Sequence, residues 1–513
     1  MSRNNVLIIG AGPAGLFVAA ELARHGVSSR IVEQTTRPHH EARATSIKPG
    51  AMEMLDAGGV LQPFLDVAQS LRGTRMYDED LTELRASSYD GLDCRFDFML
   101  QLPQYETLRI LEDRLVALGG RVERGVTARE IEGDADEELV VELVQTGDRV
   151  ETVRPDVLIG AGGAHSVTRH AMVETLEGDT YPGRFLVADI AMEVPFARDE
   201  AVYVFGPRGF QQLAALPDER WISFLQLAED ERVTTADEVA AGIEQRLGGR
   251  FRPSDVAWFS TYEMQRRLVS RLADGRRFLI GDAAHLSSTF AGQGQNAALQ
   301  DGYDLAWKLA LVLRGHGRRA LLDAYAVERR MADRHALDVS DDMHRAVIGA
   351  ADKIRRTGTL PPAHTDPVAA ALQRDAGAMI DIDYAGSPLV VDHADPPAAR
   401  IGPHPGQRYP DWNRFGGTAH HALVFGPVDD PAALARLGRR WLELVVVAHD
   451  PAVDPGRAGV PDGGVALIRP DGHIGFRSPS ADPEALAALD RHLSSYLIPD
   501  PAAGPARENK GTA

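Results

Sequence analysis

Four apolar residues in a row, Val6–Ile9, describe a strand covered on both faces, because a strand with one wet face would alternate. The chain then turns through glycines from Gly10 to Gly15, runs as an apolar helix to about His25 and re-emerges as a second strand, Ser29–Glu33, which completes a βαβ unit. Residues 72–102 hold no sustained period, with isolated alternation at Phe96 and Phe98. Residues 104–118 predict a helix with an apolar stripe of Leu108, Leu111, Leu115 and Leu118. Strands at Val122, 139–143 and 150–153 predict a β-meander, and Val157–Gly160 another buried strand. Between 184 and 227 the period is two, as in 185–190 and 221–225, the mark of an antiparallel sheet. Residues 278–280 return to the buried-strand style, a long helix starts near Gly294 and passes Leu313, and helical text continues to about Ile354. A Pro-, Ala- and Asp-rich connector follows from 357 to 405. A third unit opens near Ala422, with strands at 423–425 and 442–447, a hairpin at 466–475 and a helix at 483–497. The tail beyond Asp500 is predicted to be disordered, and no internal repeat is visible.

Composition narrows the class. The 513 residues are 44% hydrophobic and 25% charged, which excludes wholesale disorder, collagen-like order and a disulfide-stapled miniature fold. With 74 acidic against 55 basic side chains the net charge is −19, and no basic run interrupts it, so nucleic acid is not an expected partner. Cys94 is alone and forms no intrachain disulfide, which fits a reducing cytoplasm. Residues 6–20 are uncharged after Arg3, yet Gly10, Gly12, Pro13 and Gly15 would break an export helix. No run approaches the roughly 18 apolar residues of a membrane span. The expectation is a soluble, cytoplasmic protein without a membrane partner.

Two glycine-rich segments carry the chemistry. In the first, Gly10 allows a tight turn, Gly12 lets a pyrophosphate approach the backbone and Gly15 permits close helix–strand packing. Ala14 lies in the same turn, at a helix N-terminus that favours negative charge. Glu33, at the end of the next strand, stands where a carboxylate accepts hydrogen bonds from an adenosine ribose, so the segment predicts a dinucleotide site. In the second, a buried strand ends at Gly281 and Asp282 offers a carboxylate to sugar hydroxyls. Ala291-Gly-Gln-Gly-Gln-Asn296 then leads Gly292, Gly294, Gln295 and Asn296 into a helix whose first N–H groups are free to point at a ligand. Two such turns in one chain argue against packing alone.

With these motifs in place, nearly the whole chain resembles the class A flavoprotein monooxygenases, the FAD-dependent aromatic hydroxylases. Within them it is similar to phenol and 3-(3-hydroxyphenyl)propionate hydroxylases and polyketide-tailoring hydroxylases. Gly10 to Gly15 with Glu33 matches the family's first FAD motif, and Gly281-Asp282 with Gly292 to Asn296 the second. Arg43 matches an arginine near the ribityl or phosphate region and Gln104 a glutamine on the ribityl chain, with Val126 and Gly162 in the same cofactor set. Residues 301–309 and 322–330 match the helices after the second motif, and Arg-Pro-Asp-Gly at 469–472 resembles a turn of a C-terminal thioredoxin-like domain. That domain holds no cysteine here, so its expected role is structural or dimer-forming. The resemblance implies an α/β architecture: a doubly wound, Rossmann-like FAD domain (1–175 and 270–355), an inserted antiparallel substrate sheet (176–269), the connector (356–405), the thioredoxin-like domain (406–500) and the tail (501–513). It implies hydroxylation of a phenolic or polycyclic, polyketide-like aromatic through a flavin C4a-hydroperoxide, with O2 and NADPH or NADH as cosubstrates. It also implies that Tyr203, Phe205, Phe210, Trp221 and Phe224 lie in the sheet that roofs the flavin and line the substrate pocket.

Three departures stand out. Gly162 replaces an aspartate, Leu-Ser-Ser-Thr-Phe at 286–290 replaces a proline-bearing segment, and Met331 replaces a proline after Arg330. They leave open epoxidation, Baeyer–Villiger insertion or plain oxidation on the same fold, and a flavin-binding protein without turnover. A flavin halogenase is disfavoured because no Trp-x-Trp pair occurs. His285 is the one candidate catalytic side chain, weighed against a packing role. His39-His40 and His420-His421 read as surface-loop histidines, and no metal site is expected.

Overall fold

The computed structural model describes residues 5–38, 44–133, 137–357, 374–393, 402–410, 412–415, 418–448 and 454–499. Arg43, His39-His40 and the tail lie outside these residues, as does much of the connector. The chain divides into two compact units, one of residues 1–23, 28–302 and 332–381, the other of 24–27, 303–331 and 382–513.

In the first unit a six-stranded sheet runs in the order Ala273–Asp274, Arg277–Leu279, Val157–Gly160, Val6–Ile9, Ser29–Glu33, Val122–Arg124. Only the edge pair Ala273–Asp274 with Arg277–Leu279 is antiparallel; the remaining neighbours are parallel. The apolar runs Val6–Ile9 and Val157–Gly160 are buried throughout, as strands covered on both faces must be. Ile9 pairs with Gly160 and Gly160 with Leu279, so three strands from distant parts of the sequence end side by side. The predicted meander shifts by one strand. Val122–Arg124 joins the parallel sheet, and Val126–Glu132, Val140–Gln145 and Arg149–Val153 form the antiparallel one.

A seven-stranded sheet carries the alternating segments, in the order Asp255–Tyr262, Phe185–Ala191, Arg220–Gln226, Gly209–Ala215, Glu200–Gly206, Gly73–Tyr77, Glu83–Ser88. The last two strands fall in the segment that showed no period. Their side chains are mostly half-buried or exposed, so no apolar rhythm announces them. Gly73–Tyr77 pairs parallel with Glu200–Gly206, a long-range pairing that no local pattern encodes. One face of the sheet packs Leu186, Ile190, Val204 and Trp221 against Val239, Ile243 and Leu247 of the helix Ala236–Arg246 and its C-cap. Thr235 and Glu238 close that helix with a reciprocal capping box. The other face gathers Phe185, Tyr203, Phe205, Phe210 and Phe224.

The second unit has a five-stranded sheet in the order Val391–Asp392, Ile474–Ser478, Gly464–Ile468, His420–Phe425, Val445–Ala448, with helices Pro431–Arg440 and Pro483–Tyr496. Asp430 and Asp482 cap these helices ahead of a first-turn proline. Trp307, Val424, Trp441, Leu467, Phe476 and Leu489 share its core. His420 and His421 are buried on an interior strand of this sheet rather than on a surface loop, which corrects the sequence reading. Burial, with Arg469 next in effect, pushes His420 down to about 3.

A fully buried ionic cluster sits in this unit. The Lys308 ammonium donates to Asp304 at 2.7 Å and to Glu328, while the Arg469 guanidinium donates to both Glu328 oxygens and to Asp471. The Ser387 hydroxyl completes Glu328. Burial opposes the ionised Glu328, but Arg469 and Lys308 outweigh it and hold its carboxyl at about 2. Glu328 is the acceptor shared by both buried cations, so Glu328→Gln should lower stability by about 3–5 kcal/mol, read by urea unfolding followed through tryptophan fluorescence. Because its folded pKa is depressed, its stabilisation should be full above about 4.5 and fade as the pH falls toward 2.

Candidate cofactor and substrate site

The site grows from the register of the parallel sheet. Past the aligned strand ends the chain turns at Gly10, at Ala161 and at Gly281, and the three turns touch. Gly10 has φ +106, and a Cβ there would lie 2.4 Å from the Ala161 carbonyl oxygen. Gly281 has φ +58, and its Cβ would meet Ala14 and Ala298 at about 3.2 and 3.1 Å. Gly12 has nothing within 4 Å of such an atom, so its Cα faces open space.

That space is a cavity of about 560 Å3, the size of a cofactor or substrate site. Gly12, Pro13, Ala14, Gly281 and Asp282 line one part of it, and Gly292, Gly294 and Gln295 another. Gln104 also lines it and donates to Gln295 at 3.5 Å. The helix Gly294–Leu313 begins at the cavity, so its unsatisfied first-turn N–H groups and dipole favour an anion there. An open glycine backbone, a helix N-terminus and the Asp282 carboxylate suit a pyrophosphate-linked dinucleotide with sugar hydroxyls.

Four other expected cofactor residues, Glu33, Val126, Asn296 and Gly162, are not among those that line the cavity. Glu33 accepts from the Ala11 N–H at 3.0 Å and from the N–H and hydroxyl of Thr35 at 2.9 and 3.0 Å, which fixes the first turn to the second strand. Val126 packs with Leu7, Ile9 and Val32 in the core. Asn296 is buried and donates to the carbonyls of Ser46 and Gly292 at 2.9 and 2.8 Å, locking the loop. Gly162 lies on the exposed turn beside the lining residues Ala161 and Gly163.

Of the five expected substrate aromatics, Tyr203 and Phe224 line the cavity. Phe205 and Phe210 share their face of the sheet but pack in its core. Trp221 is on the opposite face, where the Arg198 guanidinium stacks on it at 5.2 Å. The strand period explains this: Ile222 and Phe224 face the cavity, and their odd-numbered neighbour Trp221 faces away.

His285 is buried and absent from the cavity wall; its Nε2 lies 2.8 Å from Asp301 Oδ2 and 3.6 Å from Asp333 Oδ1. Asp301 also accepts the Gly281 N–H at 2.9 Å, so the imidazole and this carboxylate brace the Gly281 turn. Burial disfavours the imidazolium, but Asp333, Asp301 and Asp282 outweigh it and raise His285 to about 9. This triad, and Asp304, Glu328 and Asp471 in the second unit, are the buried groups of three potential metal ligands among the described residues. The second already holds the cations Lys308 and Arg469 where a metal would sit.

Sequence reading missed Arg169, which is buried and donates to the carbonyls of Ala164 at 2.6 Å and Ala283 at 3.2 Å, stitching two turns together. An arginine inside a short helix gives no signal of such a role. It also missed Lys48, whose backbone N–H donates to Asn296 at 2.8 Å.

Because a side chain at Gly12 would enter the cavity without touching protein, Gly12→Val should leave the apoprotein's unfolding midpoint unchanged. The same variant should lose retained dinucleotide, measured by absorbance after gel filtration. The raised pKa of His285 stabilises the fold fully below about 6.5 and should be lost as the pH climbs through about 9. Thermal midpoints across that window should fall for the native protein and flatten for His285→Gln.

Comparison with known proteins agrees with this geometry. A family model described as an FAD binding domain matches residues 3–340. The chain is 31% identical to 6-methylpretetramide 4-monooxygenase of Streptomyces rimosus over 99% of its own length and 96% of that protein. It is 28% identical to a 12-dehydrotetracycline 5-monooxygenase/anhydrotetracycline 6-monooxygenase of Streptomyces rimosus subsp. rimosus, over 92% of this chain and 95% of that one. In fold it is similar to the flavin-dependent monooxygenase PieE, solved with FAD and substrate, with TM-score 0.81 and 23% identity over 96% of this chain and 99% of the other. Aklavinone-11 hydroxylase, solved with FAD and aklavinone, gives TM-score 0.80 and 24% identity over 95% and 98%. The chain belongs to the FAD-binding-domain family and is an FAD-dependent monooxygenase.

Proposed function

We propose that the enzyme hydroxylates a phenolic or polycyclic, polyketide-like aromatic held against the seven-stranded sheet, with NADPH or NADH and O2 as cosubstrates. One observation carries the reading: a single cavity is lined both by the glycine turns and by the apolar sheet face of Tyr203, Ile222 and Phe224. A polycyclic ring system laid on that face would lie beside whatever the turns hold. The relatives named for pretetramide and anhydrotetracycline compounds support a substrate of this kind.

FAD, when bound, supplies the electron acceptance and oxygen activation that side chains lack. The chain's own residues do the rest. Gly12, Gln104 and Asp282 would hold the cofactor's polar stretch, and the N–H groups of the helix beginning at Gly294 would favour negative charge on its ring without reorganising. Val187, Tyr203, Ile222 and Phe224 orient the aromatic and exclude water. His285 holds the Gly281 turn rather than touching the reactants.

The remaining expectations become part of the proposal. Residues 176–269, joined by the strands Gly73–Tyr77 and Glu83–Ser88, form the substrate sheet between the two sequence blocks that bind FAD. The five-stranded second unit is a thioredoxin-like domain with a structural or dimer-forming role. Its reading as non-redox follows from Cys94, which lies at position 94, outside that unit. A cytoplasmic location suits the single thiol. Among the described residues no helix is long and apolar enough to cross a membrane.

The test is turnover. Protein loaded with FAD should be yellow and consume NADPH and O2 when given hydroxylated polycyclic aromatics, with a product heavier by one oxygen on an intact ring. A ring-expanded lactone, an epoxide or an oxygen-free oxidation product would overturn the hydroxylation reading. Retained FAD with no NADPH loss on any compound would overturn catalysis.

A further inference from the structure

Lys48 places a buried cation in the wall of the aromatic cavity. The residue is 5% exposed and precedes the helix Pro49–Ala57. Its backbone N–H is pinned to Asn296, and its side chain passes Gly292, where an added Cβ would meet Lys48 Cε at 3.5 Å. The ammonium ends beside the Tyr89 hydroxyl at 3.3 Å and the Met99 thioether at 3.4 Å, and all three residues line the cavity. The Tyr89 hydroxyl in turn points at Met99 Sδ, at 3.4 Å.

Both partners are neutral and weak, and among the described residues no carboxylate pairs with this ammonium. In the buried cluster of the second unit, by contrast, Lys308 is compensated by Asp304 and Glu328. A cation buried without an anion is costly, and three donor hydrogens facing a phenol and a thioether leave strong hydrogen-bonding capacity unused. The complement is an anionic oxygen brought in by a ligand. Tyr203 and Phe224 line the same cavity, which suits an anion carried on an aromatic framework.

We propose that Lys48 binds the ionised hydroxyl of the substrate, a phenolate or enolate oxygen, so that the enzyme selects acidic hydroxyaromatics. The assignment rests on the reading of this cavity as the aromatic site. On binding, the substrate hydroxyl releases its proton to solvent and its oxygen faces the Lys48 ammonium; no other bond changes. The charge left on the ring raises electron density at the ortho and para carbons, where an electrophilic oxygen would add. Lys48 therefore both chooses the substrate and sets its orientation relative to the turn it leans on.

The experiment uses the FAD-loaded enzyme with alizarin, a dihydroxyanthraquinone whose absorption moves to longer wavelength on ionisation, and with its dimethyl ether. At a pH where the free dye is mostly neutral, the native enzyme should bind alizarin with the band of the ionised form. Lys48→Met should bind it roughly 30-fold or more weakly and without that band. Lys48→Arg should keep the band, and the dimethyl ether should bind native and Lys48→Met proteins equally. Flavin absorbance verifies that each variant is folded and loaded. Equal affinity and an equal band in Lys48→Met, a neutral bound dye in the native enzyme, or no binding of alizarin at all would each overturn the assignment. So would a flavin potential shifted in Lys48→Met with dye binding unchanged, which would give the cation to the cofactor. None of these readouts needs turnover. An ionised dye held by Lys48 in an enzyme that inserts no oxygen would sink the proposed reaction and leave this assignment standing.

Discussion

The contact between three chain turns, at Gly10, Ala161 and Gly281, is the constraint on which the rest of the first unit depends. Parallel strands of matched register deliver these turns to one edge of the sheet. They approach so closely that Gly10 leaves no room for a Cβ beside the Ala161 carbonyl. Side chains are thereby kept out of the gap, and what remains is exposed backbone, a helix N-terminus and one carboxylate, Asp282. A pyrophosphate-linked cofactor needs that surface, and a packed apolar turn would deny it.

Buried charge holds the turns and the second unit in place by the same means. His285 sits between Asp301 and Asp333, and Asp301 reaches the Gly281 backbone. Lys308 and Arg469 share Glu328 in the second unit, with Trp307 beneath both cations. In each cluster the partners satisfy one another, so the charges cost little while intact and much when one is removed. Lys48 differs from both clusters, a buried ammonium that faces a phenol and a thioether.

The sheet supplies the other wall by simple alternation. Ile222 and Phe224 of Arg220–Gln226 face the cavity while Trp221 and Leu225 pack with the helix Ala236–Arg246, so one strand serves substrate and core at once. The segment 286–290, which departs from the proline-bearing family pattern, brings Ser287, Ser288 and Thr289 to the same wall. Ser288 is tied to His344 at 3.2 Å and Thr289 to Tyr262 at 3.2 Å, so hydroxyl hydrogen bonds hold this loop.

The amino-acid order was enough for the buried strands, the two glycine turns and the alternating sheet, because each is a short-range pattern of burial or backbone freedom. Gly12, Asp282 and Gln295 could be picked out as cavity residues for that reason, and Gln104 through the family resemblance. It could not show that Trp221 faces away while Phe224 faces in, since register decides this and a run of apolar residues hides it. Nor could it reveal the strands Gly73–Tyr77 and Glu83–Ser88, which are stabilised by pairing rather than by their own apolar rhythm. The burial of His420 and His421, the turn-stitching of Arg169 and the lone charge of Lys48 depend on neighbours that only folding brings close, as with Lys48 and Asn296, 248 positions apart. Local sequence sets which conformations a segment favours; only the folded chain decides which charges find partners.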